Sequence, residues 1–357
     1  MKRYGLLILT SLMTFTACGE STPIKAELET VKDIKIHSEM VSNFFQSENY
    51  DYSNLPAEVD ARTNLGDNLP IHITWKSSVD NQKWNIVFKE NNNTVTYSVR
   101  GNEFDFFNYK LNTEYKIHLE LDNYISEPIS FTTPSGYVRT LKVEGVSNFR
   151  DLGGYGNIKQ GLLYRSMTFE NNTIQGSEYK DITANGISEL RRLGIKSEID
   201  LRREDERGDK YGTIEGINYQ FKPLHYGGSA IIDYTGTYRD VYYDNPAKIK
   251  EILDFMAVAD NYPMDFHCTR GADRTGCIAY IIRGLLGEDE DYILKDYIFT
   301  DFYNIGGPIR LENNKYASKF KAEEGETLQE KIYNYLNTKL GVSKDNLNSI
   351  INILKVN

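Results

Sequence analysis

Cys268 and Arg274 stand six positions apart in the segment from Met264 to Gly276. This segment is predicted to pass from a short strand through a tight loop into an apolar helix over Cys277 to Leu286. Backbone N–H groups in such a loop point inward, and with the positive end of the helix they form a cradle for a dianionic phosphate. The spacing therefore indicates chemistry on a phosphate group.

Each residue type in this loop suits that chemistry. Gly271 permits the backbone turn, and the field of the cradle is expected to lower the pKa of the Cys268 thiol below about 8.5, which provides a nucleophile at neutral pH. The planar fork of Arg274 can bind two phosphoryl oxygens, which a lysine could not. Thr275 can donate a hydrogen bond to the thiolate, and His267 is expected to brace the loop rather than to act as a base. The predicted phosphate-binding residues are Thr269, Arg270, Gly271, Ala272, Thr275 and Gly276.

The cysteines also have a simpler interpretation. Cys268 could be a small buried hydrophobe, but the surrounding His267, Gly271 and Thr275 and the strand-to-helix setting favour the nucleophile. Cys277 lies nine residues further on, on the apolar helix, and is predicted to be a core residue.

This loop resembles that of the Cys-x5-Arg protein phosphatases, and specifically the atypical bacterial tyrosine or dual-specificity phosphatases, whose loop reads His-Cys-x-x-Gly-Lys-Asp-Arg-Thr-Gly. The resemblance covers Leu141 to Asn357 and implies an α/β phosphatase domain, with a central, mostly parallel sheet flanked by helices. Further blocks follow the family's order, namely Asn148 to Tyr155, Gly161 to Ser166, Ile199 to Arg202, Asp296-Tyr297 and Leu340 to Ser343.

One position departs from the family. Ala272 stands where the family has a lysine that is associated with phosphoinositide and broad-specificity activity. This departure puts such activity in doubt. Arg270, two residues after the cysteine, is either a substitute charge or a solvated loop residue.

The leaving group needs a proton from a carboxylic acid near the cradle. Conventional tyrosine phosphatases carry this acid on a Trp-Pro-Asp loop, but both tryptophans of this chain, Trp75 and Trp84, lie far upstream. The resemblance implies that Asp273 is the acid. Asp200 is the second candidate and Asp233, on a Gly-rich segment, is the third.

Several of these charged residues have a structural interpretation as well. Asp200 could pair with Arg202 or with a helix terminus. Arg150 and Arg165 either line the phosphate cleft or pair with Asp151, and we favour the structural alternative for both. Arg150 is kept as a supporting residue of the site.

The composition excludes several classes of protein. The 51 acidic residues outnumber the 41 basic ones, which opposes binding to nucleic acid. The ligand spacing of a metallophosphatase is absent and the chain has only five histidines, so neither a metal nor a cofactor is predicted. A length of 357 residues with 40% hydrophobic and 26% charged residues is typical of a soluble globular body of about two domains.

Residues 1–18 are predicted to be an export signal, because a basic start precedes an apolar stretch, Gly5 to Phe15, that is too short to span a bilayer. The segment Phe15 to Gly19 resembles the bacterial lipobox, whose cysteine becomes lipidated. We therefore predict that Cys18 is a lipidation site and that the protein is extracytoplasmic and anchored to the bacterial membrane.

Residues 19–56 are predicted to be a tether followed by a short helical or irregular lead-in, and residues 57–135 an all-β sandwich. Leu111 with Tyr115 resembles the tyrosine corner of fibronectin type III domains, and Trp75 resembles their core tryptophan. The domain is either an unspecialised spacer or a binding module. Alternating apolar residues indicate strands at Ile71 to Trp75, Trp84 to Phe88, Tyr115 to Leu121 and Ile129 to Thr132.

Together these features predict a phosphatase domain over 141–357 that hydrolyses phosphomonoesters through a phosphocysteine intermediate. Protein phosphotyrosine is the first expected substrate, followed by phosphoserine or phosphothreonine, and then by phosphoinositide or inositol phosphate. One alternative is an inert surface protein whose β-domain binds a partner. Another is a cysteine-based sulfurtransferase, which the Asp-Arg-Thr-Gly sequence after the loop disfavours.

Overall fold

The protein has an all-β region towards its N-terminus and an α/β region that begins at Val138. The predicted export signal and Cys18 lie outside the described residues. The computed structural model describes residues 23–47, 65–136, 138–170, 181–207, 212, 214–225, 245–303, 320 and 323–356.

The N-terminal region consists of two antiparallel sheets around one shared core. The first has the strand order β1-β2-β5, and the second has the order β4-β3-β6-β7 with β8 paired to β6. Trp75 and Trp84 are buried in this core, and alternate residues of β2 and β6 point into it, as the sequence alternation predicts. The strands are β1 (Ala26–Leu28), β2 (Ile71–Ser77), β3 (Lys83–Glu90), β4 (Asn93–Arg100), β5 (Glu103–Phe106), β6 (Glu114–Leu121), β7 (Tyr124–Ile125) and β8 (Ile129–Thr132).

A tyrosine fixes the entry to β6. The Tyr115 hydroxyl accepts a hydrogen bond of 2.8 Å from the Lys110 N–H, five residues upstream. This is the contact that a tyrosine corner makes. Burial raises the pKa of the Tyr115 hydroxyl, so the group stays neutral and keeps its place at the edge of the core.

The α/β region is built on a mixed sheet with the order β13-β12-β14-β11-β10-β9. Strands β13, β12, β14 and β11 run parallel, whereas β10, towards one edge, pairs antiparallel with both β11 and β9. The prediction of a mostly parallel central sheet is confirmed. These strands are β9 (Arg139–Thr140), β10 (Arg150–Asp151), β11 (Leu163–Ser166), β12 (Ser197–Asp200), β13 (Asn218–Phe221) and β14 (Met264–His267).

Helices cover this sheet, and α4 is buried along nearly its whole length. Gly276 and Gly284 allow α4 to pack closely, because a Cβ at these positions would lie 2.6 Å from the Tyr297 ring and 2.2 Å from the Ile332 side chain. The helices are α1 (Glu39–Gln46), α2 (Ala184–Arg192), α3 (Pro246–Met256), α4 (Asp273–Leu285), α5 (Glu290–Ile298), α6 (Leu328–Asn334) and α7 (Lys344–Leu354), with short 3₁₀ turns at Glu204–Glu206, Ala259–Asn261 and Phe299–Tyr303.

Three of the parallel strands end at the same edge of the sheet. His267 at the end of β14 is in register with Asp200 of β12 on one side and with Ser166 of β11 on the other. In open α/β sheets this carboxyl edge is where ligands bind. The fold therefore brings the residues that follow these strands together.

The predicted tether contains two elements that belong to the two regions. Strand β1 pairs with β2. Helix α1 buries Val41, Phe44 and Phe45 in the core of the α/β region. Residues 23–47 are thus packed against both regions rather than forming a tether alone, and α1 lies in the segment for which a short helical or irregular lead-in was predicted.

The two regions meet along β9 and at the turn before β11. Arg139 of β9 donates hydrogen bonds to the carbonyls of Asn108 and Tyr109, both at 2.8 Å. Just before β11, the Gln160 side-chain amide exchanges two hydrogen bonds with the backbone of Leu111, at 2.7 and 2.9 Å. The N-terminal region is thus joined to the α/β region by buried and half-buried polar contacts. Among the described helices, none has the length and apolar character needed to cross a membrane.

Candidate active site

The loop from Cys268 to Ala272, called the phosphate loop below, joins β14 to α4. Gly271 has a φ of 65°, and a Cβ there would lie 2.3 Å from the carbonyl oxygen of Ser166. A side chain at this position would therefore push the loop off the end of β11. Glycine is required both by the backbone conformation and by the close approach.

The carbonyl groups of the phosphate loop are held from behind. The Asn148 side-chain amide donates hydrogen bonds to the carbonyls of Arg270 (3.1 Å) and Gly271 (3.2 Å), and Arg165 donates to the Gly271 carbonyl at 2.8 Å. In a trans peptide group the N–H points opposite to the carbonyl. The N–H groups of Gly271 and Ala272 are therefore directed to the opposite side of the loop from Asn148 and Arg165, as an anion cradle requires.

The Cys268 thiol is buried at the base of this cradle. Burial alone would raise its pKa, but the charge of Arg274 and the adjacent Thr275 at the start of α4 bring the pKa below its ordinary value. Asp273 opposes this with a smaller effect. The thiolate is thus the favoured form over a wider pH range than for an ordinary cysteine, as expected for a nucleophile.

Arg274, in the first turn of α4, is fixed by a residue that the sequence reasoning missed. Both of its terminal nitrogens donate to the carboxylate of Glu206, one of them at 3.0 Å, and a further contact of 3.4 Å reaches the Thr269 hydroxyl. Burial raises the pKa of Glu206 and the Arg274 charge lowers it, with a net shift downwards. Glu206 is therefore ionised and holds the guanidinium in one plane.

Glu206 ends the 3₁₀ turn Glu204–Glu206 that follows β12. Its carboxylate also accepts a hydrogen bond of 2.8 Å from the Arg203 N–H. The sequence did contain a signal for Glu206. Three acidic residues come directly after a predicted strand end, at the edge of the sheet where the phosphate loop was expected.

Asp273 is the first residue of α4 and is half-buried. Its carboxyl group accepts a hydrogen bond of 3.0 Å from the Tyr297 hydroxyl of α5. Tyr297 packs against Gly276, so the same tyrosine fixes both the acid and the first turn of the helix.

Asp200, the second candidate acid, occupies a structural position. It is fully buried and receives hydrogen bonds from the Arg202 guanidinium, the closest at 2.7 Å, and from the Tyr219 hydroxyl at 2.8 Å. Burial raises the pKa of Asp200, but the positive charges of His267 and Arg202 lower it by more than burial raises it, which favours the ionised carboxylate. The geometry supports the pairing with Arg202 rather than a proton-donating role.

His267 is also fully buried and lies between two carboxylates. Its Nε2 is 2.9 Å from Glu198, and its Nδ1 is 3.9 Å from Asp200. Burial lowers the pKa of His267, but the charge of Asp200 and the hydrogen bond to Glu198 raise it to about 9. The imidazole is therefore positively charged at neutral pH. It is suited to bracing the loop rather than to acting as a base, as the sequence predicts.

Arg150 and Arg165 are structural, but their partner is Asp296 rather than Asp151. Arg150 donates to one oxygen of the Asp296 carboxylate at 2.9 Å, and Arg165 donates to the other at 2.7 Å. Asp151 pairs instead with Arg139, at 2.7 Å. The predicted partner, Asp151, was wrong because Asp296 lies far along the sequence, on α5. Only the folded chain brings α5 behind β10 and β11.

The other predicted site residues lie around the loop. Thr269 and Arg270 are half-buried and Ala272 is buried, while Cys277 is a core residue as predicted. Asp233 lies outside the described residues, as does the tyrosine-rich segment around it. In the described part of the chain, no cluster of His, Cys, Asp and Glu side chains is arranged to hold a metal ion.

The comparison with known families decides where this geometry belongs. The sequence profile of the tyrosine phosphatase family matches residues 141–356, which is more than half of the chain. The chain belongs to the tyrosine phosphatase family. The prediction of a phosphatase is confirmed at the level of the family.

Two named relatives are similar to part of the chain. A protein of Cupriavidus necator that is assigned as a tyrosine-protein phosphatase is 29% identical over an alignment of 184 residues, and the match covers 46% of this chain and 64% of the relative. A tyrosine-protein phosphatase of Nostoc commune is 24% identical over an alignment of 153 residues, and the match covers 40% of this chain and 52% of the relative. The chain therefore spans less than two thirds of the length of either relative.

Solved structures of other phosphatases show a weaker likeness. The core catalytic domain of the phosphatase Siw14 of S. cerevisiae is 20% identical, with a TM-score of 0.28, and the match covers 46% of this chain and 93% of that chain. TpbA of P. aeruginosa is 19% identical, with a TM-score of 0.26, and the match covers 45% and 91%. Likenesses with TM-scores this low carry no argument about function.

Proposed function

We propose that this protein is a phosphatase that hydrolyses phosphomonoesters, foremost phosphotyrosine in proteins, through a phosphocysteine intermediate. The observation that carries the proposal is the Cys268 thiol, whose pKa is lowered by Arg274 and Thr275 at the start of α4. A thiolate beside a fixed guanidinium and inward N–H groups is arranged to attack a bound phosphate.

In the first step the Cys268 thiolate attacks phosphorus and forms an S–P bond, while the P–O bond to the leaving group breaks. The guanidinium of Arg274 binds two equatorial oxygens of the phosphoryl group and stabilises the negative charge that these oxygens carry in the transition state. The carboxylic acid of Asp273 gives its proton to the leaving oxygen, which departs as a neutral alcohol or phenol.

In the second step a water molecule attacks phosphorus and the S–P bond breaks. The Asp273 carboxylate takes a proton from that water, which restores the acid for the next cycle. Thr275 donates a hydrogen bond to the departing Cys268 thiolate, so the same contact that lowers the thiol pKa also aids its release. The products are inorganic phosphate and the unmodified enzyme.

The choice of phosphotyrosine rests on the relatives and on one loop residue. Both named relatives carry the name of a tyrosine-protein phosphatase. Ala272 is buried and uncharged, at the position where the atypical bacterial phosphatases have a lysine. This difference disfavours phosphoinositides and inositol phosphates as substrates. A comparison of a phosphotyrosine peptide, a phosphoserine peptide and a phosphoinositide as substrates tests this order.

The basic test is hydrolysis of p-nitrophenyl phosphate by the wild-type protein, by Cys268→Ser and by Cys277→Ser, in EDTA with a reductant. Cys277 is the matched control, because it is a buried cysteine on the adjoining helix with no proposed role. Wild type and Cys277→Ser are expected to turn over while Cys268→Ser does not. A folded wild type that is inactive on this ester and on all three phosphorylated substrates would contradict the proposal and favour the inert binding protein.

We also propose that the protein is extracytoplasmic and is held at the bacterial membrane by a lipid on Cys18. The support is the export-signal pattern and the lipobox-like segment in the sequence. We further propose that the N-terminal sheets form a fibronectin type III-like domain, supported by the hydrogen bond between Tyr115 and Lys110. Membrane fractionation of the wild type and of Cys18→Ser tests the anchor, since loss of the lipid should release the protein.

A further inference from the structure

One carboxylate lies at the centre of the buried charges behind the phosphate loop. Asp296, on α5, is fully buried and pairs with Arg150 at 2.9 Å and with Arg165 at 2.7 Å. A third guanidinium, that of Arg283, lies 3.6 Å away. This single negative charge thus pairs with both Arg150 and Arg165, and its removal would leave these two buried cations without that compensation, whereas Arg283 keeps its pairing with Glu288.

These arginines connect Asp296 to the phosphate loop. Arg165 donates to Asp296 through one terminal nitrogen and to the Gly271 carbonyl, at 2.8 Å, through the other. Arg150 binds the carbonyl oxygen of the Asn148 side chain, whose amide donates to the carbonyls of Arg270 and Gly271. Both series of hydrogen bonds end on the carbonyl groups of the phosphate loop, whose orientation determines where the N–H groups of the loop point.

Helix α5 is itself held by the end of α1, in the segment between β1 and β2. The Lys295 ammonium group binds the carbonyls of Phe45 (3.3 Å) and Ser47 (2.6 Å) at the end of α1. The Phe45 ring packs against that of Phe299, with centroids 4.9 Å apart. Asp296 lies between Lys295 and this aromatic contact, so the position of its backbone is fixed on both sides.

We propose that Asp296 is a positioning residue for phosphate binding, which acts through Arg165 and Asn148 to keep the carbonyls of the phosphate loop turned away from the ligand. It touches neither the substrate nor the thiol. The inference rests on the proposed phosphate-binding role of the loop.

Two possible effects of Asp296 on a bound anion have opposite signs, which makes the proposal testable. If Asp296 acted only as a distant negative charge, Asp296→Asn would make the site more positive, bind phosphate more tightly and lower the pKa of the Cys268 thiol. If Asp296 positions the loop, the same change would let the carbonyls turn inward, weaken phosphate binding and raise that pKa. The direction of the change separates the two.

The experiment measures the dissociation constant of inorganic phosphate by calorimetry, and the pH dependence of Cys268 alkylation by iodoacetamide, in the full chain. We expect Asp296→Asn to bind phosphate roughly tenfold more weakly, as loss of an outer partner does at other tightly held sites. The alkylation profile should move to higher pH. Asp151→Asn is the matched control, because Asp151 is an equally buried carboxylate paired with Arg139 that makes no contact with the loop.

Asn148→Gly is the second variant, for the case in which Asp296→Asn does not fold. Asn148 has a φ of 56°, so glycine keeps the backbone conformation while the amide that binds the loop is lost. It should weaken phosphate binding in the same direction. Unchanged or tighter binding in the folded variants, or an equal loss in Asp151→Asn, would overturn the proposal.

Neither readout needs turnover, so the two proposals fail separately. If the wild type binds phosphate with a low thiol pKa but hydrolyses none of the tested esters, the proposed function fails while the positioning role can still be measured. If the wild type is active and Asp296→Asn keeps wild-type phosphate affinity and thiol pKa, only the positioning role fails.

Discussion

The two faces of the phosphate loop carry the same kinds of side chain but use them differently. Behind the loop, Arg150 and Arg165 are fully buried and share one carboxylate, Asp296. In front of it, Arg274 pairs with Glu206 and also lowers the pKa of the Cys268 thiol. Buried charges are tolerated only when they are closely paired. The back is therefore a closed scaffold, whereas the front keeps positive charge directed at an anion.

The two aspartates that were candidates for the acid show the same contrast. Asp200 is fully buried and pairs with Arg202, and the pKa of its carboxyl group is lowered, which favours the ionised form. Asp273 is half-buried beside the nucleophile and accepts a hydrogen bond from Tyr297. An acid that must gain and lose a proton in each cycle needs the second kind of environment.

The largest expected effect comes from removing the fork of Arg274 while keeping its charge. In Arg274→Lys the two-point contact with Glu206 and with the phosphoryl oxygens is lost, so kcat/KM should fall roughly a thousandfold. The pH profile of Cys268 alkylation should move much less, because a positive charge remains nearby. Steady-state kinetics on p-nitrophenyl phosphate together with the alkylation profile measures both.

Arg192→Lys is the control for this change. Arg192 lies on α2 with its guanidinium over the Tyr97 ring, and it makes no contact with the loop. Near wild-type turnover in Arg274→Lys would show that charge alone, rather than the planar fork, serves the front of the loop.

A smaller effect is expected from Glu206→Gln, which changes the partner of Arg274 rather than Arg274 itself. An amide cannot accept two hydrogen bonds from the guanidinium as a carboxylate does, so Arg274 would lose its fixed plane. We expect kcat/KM to fall by roughly ten- to a hundredfold, as for other outer partners of a site. Kinetics on p-nitrophenyl phosphate is the measurement.

Glu204→Gln is the matched control, two residues away on the same 3₁₀ turn. Its exposed side chain faces His225 at 3.5 Å rather than Arg274. If both variants lost activity equally, the turn as a whole and not the contact between Glu206 and Arg274 would be responsible.

The front of the site was largely predictable from the sequence, because its residues are close together in the chain. Cys268, Gly271 and Arg274 lie within seven positions, so a local strand-loop-helix pattern was enough to place them. Strand alternation likewise located β2, β3 and β6, because the period of two directly reflects which face is buried. The alternation of strand and helix patterns indicated α/β organisation, and the resemblance to the phosphatase family implied the mostly parallel sheet.

The back of the site was not predictable, because its contacts join residues far apart in the chain. Arg150 and Asp296 are 146 positions apart, and nothing local pairs them. Asp151 was the nearer candidate, yet Arg139 takes it. The packing of α1 against the α/β region was missed for the same reason, since its apolar face is meaningful only against α5 and Phe299.

The smallest expected effect is on the pH dependence of stability and comes from a buried acid, Asp265. Asp265, in β14, is fully buried, with its carboxyl group 2.9 Å from the Ser166 hydroxyl. Burial raises its pKa from 3.8 to about 8, against the opposing charge of His267. At neutral pH the folded protein therefore holds a proton there that the unfolded chain has released.

The raised pKa of Asp265 makes the stability of the folded protein depend on pH. A group whose pKa is raised on folding makes the protein less stable as pH rises from its unfolded pKa to its folded one, here from about 4 to about 8. Asparagine matches the neutral acid in shape and cannot ionise. Asp265→Asn should therefore resemble wild type near pH 4 and become the more stable form towards pH 8, with the gap widening by at most about 1.4 kcal/mol per pH unit.

Urea unfolding at a series of pH values across this window measures the gap. Asp254→Asn, which removes a carboxylate paired with Lys250 on α3, is the control for the loss of one acidic side chain. A constant difference between Asp265→Asn and wild type at all pH values would mean that Asp265 is ionised in the folded protein. Asp265 would then be a second buried carboxylate charge behind the loop beside Asp296, and it would not be the neutral acid that its raised pKa indicates.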